Sequence, residues 1–158
     1  MMMRWSRKYW AVLRAGLVLA WIRVALRFHT LPTILTRLHP GRQAGARARG
    51  QFEDIVYYVD RWLRLFPYNA KGNCFPRSLA LYWFARRAGY QVAFRCGVRK
   101  EGAGLDGHAW LTLDRLPFHE PGQHWQHFTV TFSHPPEQAV HRKQGVPARA
   151  GNGMTAAT

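Results

Sequence analysis

Cys74 is the residue from which chemistry can start. It follows Lys71-Gly72-Asn73, which has no large apolar residue to bury, and it precedes a periodic apolar run. That order places a thiol in the first turn of a helix. The N–H groups of a first turn lack intrahelical partners, and the helix dipole adds partial positive charge there. Both favour thiolate over thiol, and the thiolate is the nucleophile. Pro76 suits a first turn, where a missing N–H costs nothing, and Arg77 adds nearby positive charge. Position alone leaves an inert, buried cysteine equally open.

A base would decide between the two. His108 opens the alternating stretch His108-Ala109-Trp110-Leu111-Thr112-Leu113, behind Gly102, Gly104 and Gly107. A neutral imidazole beside a thiol takes its proton and later protonates a leaving amine. A carboxylate on the other ring nitrogen would orient the ring and stabilise the imidazolium. Asp114 and Glu120 both follow closely. If Asp114-Arg115 is a hairpin turn, His108 lies opposite Glu120 or Pro121, with facing Cβ atoms about 4.5–5.5 Å apart. Asp114 would then sit at the tip, roughly 20 Å along the strand. Glu120 is therefore preferred as the third member; Asp114 is the alternative, and otherwise a turn residue. Thiol, imidazole and carboxylate together perform acyl transfer through a thioester, to water or to an amine. Backbone N–H groups at the start of the Cys74 helix are the natural oxyanion donors, with Asn73 the nearest side chain to add one.

The elements that must position these groups follow from periodicity. Trp10, Leu13, Leu17, Trp21, Val24 and Phe28 recur at steps of three and four, a helix with an apolar stripe. The stripe either packs on the core, or it lies on an anionic membrane or docks a partner. A signal peptide fits less well, because Arg14 breaks the apolar run and no small-residue cleavage site follows. Pro32 stops or restarts the helix. His39 to Gly50 reads as a linker. Phe52 to Phe66 and Phe75 to Ala88 are helices, the second stopped by Gly89. From Tyr90 the period shifts towards two, with strands at Val92–Val98, His108–Leu113 and Trp125–Phe132. The chain from His134 is poor in residues to bury and reads as a disordered tail. Helices followed by an antiparallel meander argue α+β.

Composition narrows the function classes. The 158 residues are 47% hydrophobic and 14% aromatic, enough for one cored domain and too much for a disordered chain. Two cysteines exclude a disulfide scaffold or a cysteine-rich zinc module. Cys96 lies in a strand pattern and reads as a core residue. His119, His124, His127, His134 and His141 are irregularly spaced, which argues against a zinc site. The net charge is +15, and residues 1–50 hold ten Arg or Lys and no Asp or Glu. Such a field draws acidic partners or an anionic surface. No RNA-binding module is visible among the tryptophans and arginines, so nucleic acid is set aside as a partner.

Three blocks together resemble a known family. Cys74-Phe75-Pro76-Arg77-Ser78-Leu79-Ala80-Leu81, then Gly97-Val98-Arg99, then Gly107-His108-Ala109-Trp110 resemble the lasso-peptide leader peptidases, the B-type maturation proteins. The likeness spans roughly residues 52–132, with the cysteine and the histidine 34 positions apart. It implies a transglutaminase- or papain-like core, with the nucleophile at a helix N-terminus packed on an antiparallel sheet. It implies that Cys74 is the nucleophile, His108 the base and Glu120 the acid, where the family more often has Asp. Asn73, Arg77 and Trp110 would form the binding surroundings, with no metal. Such proteins cut the leader from a ribosomally made precursor in the bacterial cytoplasm. They need no cofactor of their own; ATP enters at a separate, asparagine-synthetase-like cyclase that closes the ring. Residues 1–50 do not look like the leader-recognition domain fused to some members, so recognition is expected from a separate protein. The expected layout is a basic docking segment at 1–50, a peptidase core at 51–133 and a tail at 134–158. A non-catalytic scaffold holding precursor and cyclase is the competing class, and an acyltransferase would use the same chemistry.

Overall fold

The structure, a computed structural model, describes residues 2–38, 52–65 and 72–136. The expected linker and all of the expected tail beyond residue 136 lie outside the described residues. Helices α1 (Met2–Phe28), α2 (Leu31–Leu38), α3 (Phe52–Leu65) and α4 (Cys74–Arg87) precede strands β1 (Ala93–Glu101), β2 (Gly104–Leu113), β3 (Leu116–Pro117) and β4 (Thr129–His134). The architecture is α+β, with a four-stranded antiparallel sheet in the order β3-β2-β1-β4.

Helix α4 is central. Pro76, Ser78 to Tyr82 and Phe84 to Arg86 are all buried, so nearly every side of it is covered. A helix buried all round needs partners on several faces. Helices α1, α2 and α3 cover one side, and β1 with β2 the other. Gly89 ends it with a φ of +89°, as the glycine stop signal requires. Tyr90 N–H then bonds the Ala85 carbonyl, and Gly89 N–H the Arg86 carbonyl. Pro32 restarts the chain as α2, with Ile34 N–H bonded to the Thr30 carbonyl.

The apolar stripe read on α1 faces outward. Trp10, Leu13, Leu17, Trp21, Val24 and Phe28 are between 43% and 76% exposed. The packed face is instead Ala15, Gly16, Leu19, Ile22 and Ala25. Small residues let helices approach closely, and a Cβ on Gly16 would stand 2.7 Å from the Trp62 ring of α3. The Trp62 indole N–H donates to the Val12 carbonyl at 2.8 Å, locking the crossing. One continuous core joins Leu19 and Ile22 of α1 to Leu79 of α4 and Phe94 of β1.

The sheet departs from a meander. Asp114 and Arg115 make the expected turn, both with positive φ, between the pairs Leu113↔Leu116 and Thr112↔Pro117. After the two-residue β3 the chain crosses back, and β4 pairs with β1 rather than extending β3. Part of the stretch read as a strand from Trp125 is a 3-10 turn, His124–His127. The β1–β4 ladder slips in register between Cys96 and Gly97. A Cβ on Gly97 would lie 2.5 Å from the Thr129 carbonyl oxygen. Gly97→Ala should therefore push the strands apart and destabilise the fold by about 1–3 kcal/mol, read from urea unfolding.

Candidate active site

Cys74 is the first residue of α4, where the sequence placed it. Side-chain bonds hold this helix end against its surroundings. One turn on, the buried Ser78 hydroxyl donates to the Ala109 carbonyl at 2.8 Å, tying α4 to the residue after His108. On the other flank, Arg23 of α1 donates to the Asn73 side-chain oxygen at 2.7 Å. The Asn73 carbonyl accepts the Arg77 N–H at 3.0 Å, which begins the helix.

His108 lies on β2, hydrogen-bonded to Glu120 and close enough to Cys74 for the thiol to influence its titration. Its Nε2 is 2.7 Å from Glu120 Oε1. The ring stacks on Trp110 at 5.7 Å between centroids and an interplanar angle of 14°. Phe128 closes it at 5.2 Å and His124 at 4.8 Å. Burial alone would lower the imidazole pKa. Hydrogen bonds to Cys74 and Glu120, with the negative charge of both, outweigh it and raise the pKa to about 9. The site is thus electrostatically suited to an imidazolium at His108.

Glu120 reaches His108 although strand pairing ends at Pro117. Phe118 N–H still bonds the Leu111 carbonyl, and then His119 turns with a φ of +51°. Asp114 stays exposed in the hairpin turn. The Glu120 carboxylate is almost fully enclosed, with His124 Nε2 3.6 Å from Oε1 and Arg77 Nη1 3.7 Å from Oε2.

Arg77 is tied into this frame. Its Nε donates to Asp60 Oδ1 at 2.7 Å and its Nη2 to Asp60 Oδ2 at 3.2 Å. The same Nη2 donates to the His119 carbonyl at 3.0 Å. It therefore bridges α3, α4 and the loop that carries Glu120. Trp110 is 2% exposed and supports His108 from within the fold. Asn73 is engaged by Arg23 through its oxygen. In the sequence His124 figures only among the irregularly spaced histidines, and Asp60 not at all. His124 stands four residues after Glu120, a spacing that carries meaning only in a helix, and Asp60 had no local signal.

Cys96 is a free cysteine on β1. Burial pushes its thiol pKa up, against a lowering contribution from Thr131, and the nearby Cys74 adds to the rise. Among the histidines weighed for zinc, His124 has its ligand atom, with those of His108 and Glu120, in a group within 4.8 Å. A cation there would compete for the ring nitrogen that Glu120 holds.

The site thus sets a cysteine that opens a buried helix beside a histidine of an antiparallel sheet and its carboxylate partner, within an α+β fold. The chain belongs to the transglutaminase-like superfamily, whose family model matches residues 13–133. Members of that superfamily are typically cysteine peptidases or transferases. The matched span begins within α1 and ends within β4. No curated protein and no solved structure matches the chain significantly.

Proposed function

We propose that this protein is a cysteine peptidase that removes the leader from a ribosomally made lasso precursor, before a separate cyclase closes the ring. The observation that carries the peptidase reading is a His108 imidazole bonded to the Glu120 carboxylate and acted on by the neighbouring Cys74 thiol. The three sequence blocks around Cys74, Gly97 and His108 support the choice of substrate.

Cys74 Sγ attacks the carbonyl carbon at the leader–core junction, forming a tetrahedral oxyanion. Backbone N–H groups at the start of α4 face that charge. The C–N bond breaks as the His108 imidazolium gives its proton to the departing core amine. The leader stays as a thioester on Cys74. His108, now neutral, takes a proton from water, whose oxygen attacks the thioester and frees the leader acid and the thiolate. Glu120 holds the ring and balances its charge throughout. ATP has no part in these steps and belongs to the cyclase. An amine in place of water would make the same site an acyltransferase, and product masses tell the two apart.

The test is mass spectrometry of candidate precursor incubated with this protein and a separate leader-recognition protein. Leader acid and free core, with masses adding to the precursor plus one water, support the reading. Intact precursor, from folded protein that still binds the leader, moves the assignment to a scaffold. A bacterial cytoplasmic setting accords with the free thiol at the centre of this chemistry.

Arg77 acts through Glu120. Arg77→Met should slow cleavage roughly 10–100-fold by letting the Glu120 loop shift, since an ångström of misplacement costs that much. The rate of Cys74 alkylation by iodoacetamide should fall with it, and Asp60→Asn should have a milder form of both effects. An alkylation rate unchanged at neutral pH in Arg77→Met would remove this role.

A further inference from the structure

The exposed row on α1 is unusual for a folded monomer. Six large apolar side chains, Trp10, Leu13, Leu17, Trp21, Val24 and Phe28, line one side of a single helix over about 27 Å. Scattered exposed leucines need no explanation, but a contiguous patch of this kind marks an interaction surface. At about 100° per residue the row fills an arc of about 80°. Exposed Arg14 borders it on one side and exposed Arg27 on the other. A hollow of about 280 Å³ opens along the same face between Leu17, Trp21, Leu38 and Trp83. Arg37 of α2 also lines it.

Charge decides among the occupants. Residues 1–50 carry ten cations and not one acid. A second copy would set Arg14 and Arg27 against their own equivalents, which is repulsive. A spanning role is excluded for α1, since no helix among the described residues is long and apolar enough to cross a membrane. An apolar stripe bearing tryptophan and phenylalanine, with arginines along both margins, is instead the pattern of a helix lying in the plane of an anionic bilayer. The arginines meet lipid headgroups, and the row enters the acyl boundary.

We infer that α1 docks this protein on anionic lipid, with the row Trp10 to Phe28 facing the acyl chains. The inner face of the same helix stays packed on α3 and α4, so docking needs no unfolding. It also keeps the Cys74 site attached to the membrane-bound helix, because Arg23 of α1 holds Asn73 beside it. This surface is independent of the chemistry at Cys74.

Flotation of the full chain with vesicles tests the inference. Equimolar phosphatidylglycerol and phosphatidylcholine vesicles should carry the protein upward, and pure phosphatidylcholine vesicles should not. Leu17→Glu with Trp21→Glu, both at exposed positions, should lower the floated fraction at least about ten-fold with circular dichroism unchanged. Arg27→Glu should weaken binding roughly ten-fold at low salt. Folded protein that stays at the bottom with anionic vesicles overturns the inference and leaves the row to a protein partner. Flotation of the double variant equal to the parent also overturns it, because a basic segment elsewhere would then bind the lipid. A dimer in size-exclusion chromatography that the double variant dissolves overturns it in favour of a second copy.

Discussion

Cys74→Ala is expected to leave the precursor peptide uncut, with a loss of roughly 10⁶-fold, the scale seen when the nucleophile of a cooperating triad is removed. No other group within the described site can take its place. Cys96 is the only other cysteine, and burial on β1 raises its thiol pKa. The change should barely touch stability, because Cys74 is only partly buried, at the first position of α4. Pro76, Ser78 and Arg77 hold that helix end without it. The variant therefore separates chemistry from scaffolding. If maturation of the final product persists with Cys74→Ala, the protein serves by holding its partners together. If cleavage stops while leader binding is retained, the thiol is the nucleophile. The measurement is the mass of the precursor after incubation, with a thermal melt as the folding control.

Glu120→Gln is expected to have the second-largest effect, up to about 10⁴-fold on turnover, as when a neutral amide replaces the carboxylate behind a catalytic histidine. The substitution keeps the shape of an almost enclosed side chain and removes only its charge. Gln can also offer an N–H to Nε2, which selects the wrong tautomer and leaves the thiol without a base. The pH dependence carries a sharper signature. In the parent protein the imidazolium persists until pH rises through about 9, so its acid function should fail only above that point. Removing Glu120 removes one hydrogen bond and one negative charge that hold the pKa up, so the alkaline limb should begin at lower pH. The sign for stability is the same. A histidine raised above its ordinary value near 6.5 contributes stability that is complete below that value and lost as pH passes about 9. Glu120→Gln should flatten that loss in a series of melts from pH 6 to 10. An alkaline limb unmoved by the substitution would mean that Glu120 does not set the state of His108.

Much of the frame around the site was legible along the chain. The helix start at Cys74, the glycine stop at Gly89, the strand bearing His108 and the turn at Asp114-Arg115 are all local signals. Each rests on groups a few residues apart: unsatisfied N–H groups, positive φ, or side chains alternating in period two. The choice of Glu120 over Asp114 as the neighbour of His108 also follows from local counting, since a tight turn dictates which residues face each other. The route to it is not local. Pairing stops at Pro117, and His119 bends the chain before Glu120 arrives.

By itself, then, the sequence determined an α+β chain with a thiol at a helix start, a histidine on the following sheet and a basic first third. Only the tertiary structure decided how these are held. It turned the large apolar stripe of α1 outward and packed the Ala15-Gly16-Leu19-Ile22 side, because two helices approach most closely over small residues. Helical periodicity shows that faces exist, but not which one meets a neighbour fifty residues away. It drew β4 back beside β1, a pairing that no turn signal encodes. It set Arg77 between Asp60 and the Glu120 loop, whereas position along the chain shows charge near the thiol and the family resemblance implies a binding residue. Trp110 likewise lies beneath the imidazole rather than at the surface. Those contacts join residues distant in the chain, and their geometry exists only once the helices have packed on the sheet.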